Sequence, residues 1–236
     1  MIPIARRYDS EDAKRRILSA CVRLFIEKGY REAKMAEIIA CADVSTSTFH
    51  NIFHSKDGVL EELTEFMFDN QFSLARRIMG EEASPVLVYA FETAIQMTLT
   101  ELNENLREIY VEAYTQPKQV ELINQKTATE LYHMFGSYLP GYSESDFYEL
   151  EIGTSGIMRG YMARPCDKYF TLNKKLERFI TMTLQAYRIP ETEIAEALDY
   201  VAKADIVATA NAALQELFQT LAMRFNFVLT KSEGKN

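Results

Sequence analysis

Residues 29–60 read G-Y-R-E-A-K-M-A-E-I-I-A-C-A-D-V-S-T-S-T-F-H-N-I-F-H-S-K-D-G-V-L, from Gly29 to Leu60, and their spacing decides the fold of the N-terminal part. Met35, Ile38 and Ile39 share one side of a short helix, and Phe49, Ile52 and Phe53 share one side of a second. Ala42-Asp43-Val44-Ser45 between them is too short for a loop of its own. Two short helices on a tight turn form a helix-turn-helix. The outer face of the second helix carries Thr46, Ser47, His50 and Asn51. A solvated helix that only covers a core usually presents Glu and Lys there. Short uncharged donors and acceptors instead suit close approach to an anionic surface, including base edges in a DNA major groove. Ser45 and Ser55-Lys56 open helices whose free N–H groups, with the Lys56 ammonium, can hold phosphate.

Upstream, Ile17, Ala20, Cys21, Leu24 and Phe25 repeat at helical spacing behind Ser10, and Lys28-Gly29 ends that helix. Downstream, a long helix is predicted from Lys56 to about Met79, stopped by Gly80. Helices then follow from Ser84-Pro85 to Leu102, from Asn103 to Tyr114, and from Gln116-Pro117 to about Tyr138. Further helices run from Ser143 to Arg164, from Thr171 to Tyr187, and after Pro190; the last shows Leu214, Leu217, Phe218, Leu221, Phe225 and Val228. The tail from Ser232 to Asn236 is expected to fray. Nine Gly and six Pro in 236 residues are too few for a fold of strands and tight turns. The fold class is therefore all-α.

The stretch from Gly29 to Leu60 resembles the TetR/AcrR family of bacterial helix-turn-helix transcriptional regulators. Gly29-Tyr30, Ile38, Val44-Ser45, Thr48-Phe49, Phe53, Ser55-Lys56 and Leu60 stand at that family's spacing, and the likeness covers about residues 10–60. It implies an N-terminal three-helix DNA-binding domain, residues 1–55, and a larger helical ligand-sensing and dimerisation domain, residues 56–236. It further implies a homodimer on a palindromic double-stranded DNA operator, repressing transcription until a small apolar or amphipathic ligand releases it. Thr46 and Ser47 then stand where bases or backbone are touched, Thr48 beside a phosphate, and His50 in the place of a phosphate-binding Tyr. Lys56 matches a phosphate-contacting Lys. Asn51 occupies a variable position and suits the reading of an adenine edge. Lys34 replaces a helix-capping Thr, so a cap is lost and a cation gained. Asp43 replaces a turn Gly, and Ile52 replaces a His.

The net charge of −8 first argues against nucleic acid, but it is unevenly spread. Residues 1–60 hold ten Lys and Arg against eight Asp and Glu; the other 16 basic and 26 acidic residues leave the rest at −10. Phe66, Met67, Phe91, Met97, Tyr110, Tyr114, Tyr132 and Phe135 can line an apolar pocket, with Phe91, Tyr110, Tyr114 and Tyr132 the chosen ligand candidates. Stripes of this kind serve equally as plain core. Glu92 or Glu112 can meet a cationic ligand if buried, although a Glu is more often solvated. Gly153, Gly156 and Gly160 share one helix face that lets another helix come close, and with Phe179 they are the expected dimer seam. A hinge at Ile152-Gly153-Thr154-Ser155-Gly156 is the alternative.

Cys21, Cys41 and Cys166 fit no metal or redox spacing and read as core residues of a reducing cytosol. The longest apolar run, Val86 to Phe91, is far short of a membrane span. A cytoplasmic protein without membrane partner or cofactor is expected. His50, His54 and His133 are the only histidines, and no catalytic motif is present, so no enzyme is expected. Control by a protein partner, or a helical carrier or enzyme with a vestigial helix-turn-helix, remain alternatives.

Overall fold

The computed structural model describes residues 4–69, 72–80 and 82–225, and among them there is no strand. In chain order the helices are α1 (Ile4–Lys28), α2 (Met35–Ala42), α3 (Thr46–Phe53), α4 (Lys56–Asp69), α5 (Ser73–Met79) and α6 (Pro85–Leu102). They continue as α7 (Glu104–Ala113), α8 (Pro117–Phe135), α9 (Glu144–Ala163), α10 (Leu172–Ala186), α11 (Glu191–Lys203) and α12 (Ile206–Phe225). Val228 and the tail from Ser232 lie outside the described residues.

Side-chain oxygens open several of these helices as the sequence predicts. Ser45 Oγ accepts from Thr48 N–H at 3.0 Å, Ser84 Oγ from Leu87 N–H at 3.3 Å, and Asn103 Oδ1 from Leu106 N–H at 3.0 Å. Two boundaries differ from the expectation. α1 begins at Ile4 rather than at Ser10, because no Gly or Pro between them stops it. The helix predicted from Lys56 to Met79 ends at Asp69 and restarts at Ser73. Phe72 takes the left-handed conformation (φ 62°) there and is wholly enclosed, stacked on Tyr89 with centroids 6.4 Å apart.

The apolar residues gather in two cores. The first joins α1, α2 and α3 to α4 as far as Phe66, through Ile17, Leu18, Phe25, Ile38, Phe49, Leu60 and Phe66. The three head helices thus share their core with most of α4. The second core surrounds α6, which packs against α5, α7, α8, α9, α10, α11 and α12. From Val88 to Thr100 every residue of α6 is buried, polar ones included.

Two buried polar clusters sit within the body. Lys175 of α10 is fully enclosed; its Nζ donates to Glu101 and to the Arg164 carbonyl. Glu101 also accepts the Cys166 N–H at 2.9 Å and lies 3.5 Å from Arg107. This ties the connection between α9 and α10 to the end of α6. Burial opposes ionisation of Glu101, but the bonds from Lys175 and Cys166 hold its carboxyl below the usual range. In the second cluster Glu151 of α9 accepts from Thr154 Oγ1 at 2.6 Å and from the Tyr187 hydroxyl at 3.1 Å.

The head meets the body through a polar joint. Asn105 Nδ2 donates to Ile26 O at 2.7 Å, and Arg31 N–H donates to Glu108 at 3.1 Å. Gln116 Nε2 lies 3.0 Å from Glu112 and 3.2 Å from Asp57, which also accepts from the Tyr30 hydroxyl. Gly29 turns the chain here at φ 88°, a conformation that favours glycine, and a Cβ would also push aside the Glu108 carboxylate.

Candidate nucleic-acid interface and ligand cavity

The turn before α3 is set by Asp43, whose left-handed backbone (φ 50°, ψ 53°) does the work of the missing glycine. Arg16 fixes it from α1: Nη1 donates to Ala42 O at 3.0 Å and to Asp43 O at 2.6 Å, while Nε holds Asp12 at 3.0 Å. On α3, Phe49 and Phe53 are buried, whereas Thr46, Ser47, His50 and Asn51 are exposed and Thr48 is half-buried. Ser45 Oγ lies 2.8 Å from both Ser47 Oγ and Thr48 Oγ1, making a hydroxyl cluster at the helix start.

His50 Nδ1 lies 2.7 Å from the His54 carbonyl, which can only accept, so Nδ1 carries the proton. That bond leaves Nε2 of the exposed ring for a base edge or a phosphate, as an acceptor in the neutral form and a donor in the charged one. At the head of α2, Lys34 is exposed, and the lost Thr cap is replaced from the other side: Glu37 accepts the Lys34 N–H at 3.3 Å. Glu37 also pairs with Lys28 at 2.7 Å, and with these bonds its carboxyl is held below the usual range.

Lys56 is half-buried, and its placement differs from that of a free phosphate clamp. Nζ donates to Tyr30 O at 2.7 Å and Ala33 O at 3.1 Å, and it sits 4.4 Å from the centre of the Tyr30 ring. One of its three N–H donors is left for an anion.

A cavity of about 180 Å³ opens between α4, α5, α6, α7 and α12. Phe66, Phe68, Ile95 and Leu99 supply apolar wall; Glu92, Gln96 and Tyr110 supply polar atoms. Arg77 and Glu216, paired with each other, also line it. Burial pushes the Glu92 carboxyl up, partly offset by the 3.1 Å bond from Gln96 Nε2. A smaller apolar cavity of about 70 Å³ between α1, α4 and α7 shares Met67, Phe68 and Tyr110 with the first and includes Tyr114. Of the four sequence candidates, Tyr110 and Tyr114 thus line cavities. Phe91 and Tyr132 do not: Phe91 packs on Tyr200 (5.7 Å) and Tyr132 on Phe147 (5.6 Å), because their faces of α6 and α8 point into the core.

Gly153, Gly156 and Gly160 share an open face, where an added Cβ would meet nothing within 4 Å. Ile152 beside them is 51% exposed, and Met182 on α10 is 45% exposed. Phe179 does not join this face. It is 1% exposed and packs against Tyr161 inside the subunit, so its place in the expected seam is corrected to core. Among the described residues no helix is long and apolar enough to cross a membrane, and no cluster of ligating side chains could hold a metal.

Residues 17–63 match the family of bacterial regulatory proteins named tetR. Residues 17–63 therefore carry the N-terminal domain of that family. It is 28% identical over 98 residues to the uncharacterized HTH-type transcriptional regulator YuxN of Bacillus subtilis (strain 168), covering 42% of this chain. It is 34% identical over 67 residues to YvkB of the same organism, also described as an uncharacterized HTH-type transcriptional regulator, covering 28% of this chain. These matches span 32% and 35% of the relatives' own lengths. The whole fold is similar to that of RolR in complex with resorcinol: TM-score 0.63, 15% identity, covering 84% of this chain and 97% of that one. The likeness extends the shared all-α fold from the head into the body.

Sequence reasoning missed Arg16 as the clamp on the TetR-type turn. Its signal was faint: an Arg one helical turn after Asp12, which reads as an ordinary surface pair. It also missed Gln96, since an amide in an apolar stripe is silent about whether its partner is present.

Proposed function

We propose that this chain is a transcriptional repressor that binds a palindromic operator as a homodimer and leaves it when a small molecule enters the helical body. The recognition head is residues 1–55 and the sensing and dimerising body residues 56–236. The observation that carries the reading is the outer face of α3, where Thr46, Ser47, His50 and Asn51 stand exposed on a helix held rigidly by Arg16 and the Phe49 core. Thr48, Ser45 and Lys34 flank it toward the phosphates, and Lys56 offers its remaining donor. The cavity beneath α5 supports a small molecule rather than a protein as the controlling signal. The open glycine face with Ile152 and Met182 supports a second copy as the partner there.

Gel-shift titration on the promoter beside the protein's own gene tests the central claim. A sequence-specific, salt-sensitive shift is expected, and its absence with folded protein would end the reading. Asn51→Ala is expected to cost about 1–3 kcal/mol at one base pair and relax preference there. Lys34→Ala should weaken all sites alike and lower the salt slope by about one. Equal behaviour of the two variants would reverse these roles. Gly156→Arg places a bulky cation on the open face without touching the subunit's own core. Light scattering should then report a monomer with unchanged helix content; a persisting dimer would move the seam elsewhere.

A further inference from the structure

We propose that the cavity beneath α5 takes a protonated organic amine, whose N–H groups are received by Glu92 and Gln96. This rests on the ligand-controlled reading above and names the chemistry of the ligand.

Glu92 and Gln96 stand one turn apart on α6 and share a cavity wall. Gln96 Nε2 donates to Glu92 Oε1, which leaves Gln96 Oε1 enclosed without any hydrogen-bond partner. An enclosed acceptor of this kind favours a donor brought by a guest. Turning the amide over would put an unmet donor in place of the unmet acceptor, and it would keep a bond to Glu92 only if that carboxyl is protonated.

The charged and titratable neighbours come from every element around the cavity: Tyr110 from α7, Arg77 from α5 and Glu216 from α12. Arg77 is engaged by Glu216, so among the described lining residues no other cation faces Glu92. An anionic guest finds no opposite charge at Glu92 in either protonation state. A neutral alcohol has one O–H to give. An ammonium has several N–H donors and the opposite charge, and its hydrogen bonds to carboxylate are the stronger kind.

Burial pushes the Glu92 carboxyl up in the empty cavity, and an entering ammonium pulls it down again. Whatever fraction of Glu92 is the carboxylic acid before binding gives its proton to solvent as the carboxylate–ammonium pair forms. Phe66, Phe68 and Tyr110 supply aromatic wall for the rest of the guest. The cavity, about 180 Å³, has room for one ring on a short chain. The smaller apolar cavity that shares Phe68 and Tyr110 leads from there toward α1 of the head.

Calorimetric titration of the full chain near neutral pH with 2-phenylethylamine, 2-phenylethanol and phenylacetate tests the proposal. The amine should bind at least about tenfold more tightly than the alcohol, and phenylacetate most weakly. Repeating the amine titration in buffers of different ionisation enthalpy should show proton release. Glu92→Gln should bring the amine to the level of the alcohol and leave the alcohol unchanged. Should that variant fail to fold, Gln96→Met should selectively weaken the amine. The proposal is overturned if the alcohol or the acid binds as tightly as the amine. It is equally overturned if the amine does not bind at millimolar concentration, or if the folded variant keeps the amine preference. A gel shift run alongside separates the two readings. An amine that binds without freeing the operator keeps the ligand class and rejects ligand-controlled release. Release by phenylacetate alone does the reverse.

Discussion

Replacing Lys175 with methionine is expected to cost about 3 kcal/mol or more of folding stability. The size follows from what the change leaves behind. Lys175 is fully enclosed, and its ammonium satisfies both Glu101 and the Arg164 carbonyl. Methionine fills the volume but supplies no donor, so an acceptor and part of a carboxylate's pairing are lost together. Arg107, 3.5 Å from Glu101, retains some compensation and keeps the estimate at the lower end for a buried pair. Denaturant titration measures the loss, and a change below about 1 kcal/mol would show that the pair contributes as an exposed one does. Pairing Lys175→Met with Glu101→Gln should cost less than the two changes summed, since each alone strands its partner.

The second large effect has the opposite sign. Burial pushes the Glu151 carboxyl up from 4.5 to about 7, although Thr154 and Tyr187 hydrogen bonds pull it partly back. A pKa raised in the folded state means the fold prefers the protonated form. That contribution is fully present below the unfolded pKa and is lost as pH rises through the folded pKa. A displacement from 4.5 to about 7 corresponds to about 3 kcal/mol. Wild type should therefore lose about that much more stability between those values than Glu151→Gln does. Glutamine keeps an acceptor for Thr154 and Tyr187 without the charge. At about pH 8 the variant should be more stable by up to about 3 kcal/mol, and near pH 4 the difference should vanish. Denaturation midpoints across that range decide it: parallel curves for the two proteins would show that Glu151 does not titrate there.

The head was largely legible because its helices are short, one-sided and explicitly capped. Ile17, Cys21, Leu24 and Phe25 mark one face, Ser45 marks the start of α3, and only the backbone of Asp43 had to be inferred. The body was legible in its boundaries and less so in its interior. α6 has no outer face, so the periodicity that separates inside from outside disappears, and Glu92, Gln96, Thr98 and Thr100 look like surface residues until the surrounding helices are in place. Phe72 breaks the helix after α4 through tertiary anchoring, without a Gly or Pro to announce it. Lys175 and Lys56 illustrate the same limit for charge. Residue type says that an ammonium seeks oxygen, but whether that oxygen is a carbonyl of the same chain or a phosphate outside depends on which loops fold over it.

The enclosure of Val88 to Thr100 in α6 has a consequence for measurement. A helix without a solvent-facing side releases its amide hydrogens to exchange only when the whole body opens. The amides of Val88 to Thr100 should therefore be the last to take up deuterium, and their rate should report the global stability of the body. The amides of α2 and α3 belong to a separate core and can exchange by opening of the head alone. Comparing the two clocks in one spectrum, with and without a bound molecule, reads the stability of the sensing part and the reading part independently, without a probe attached to either.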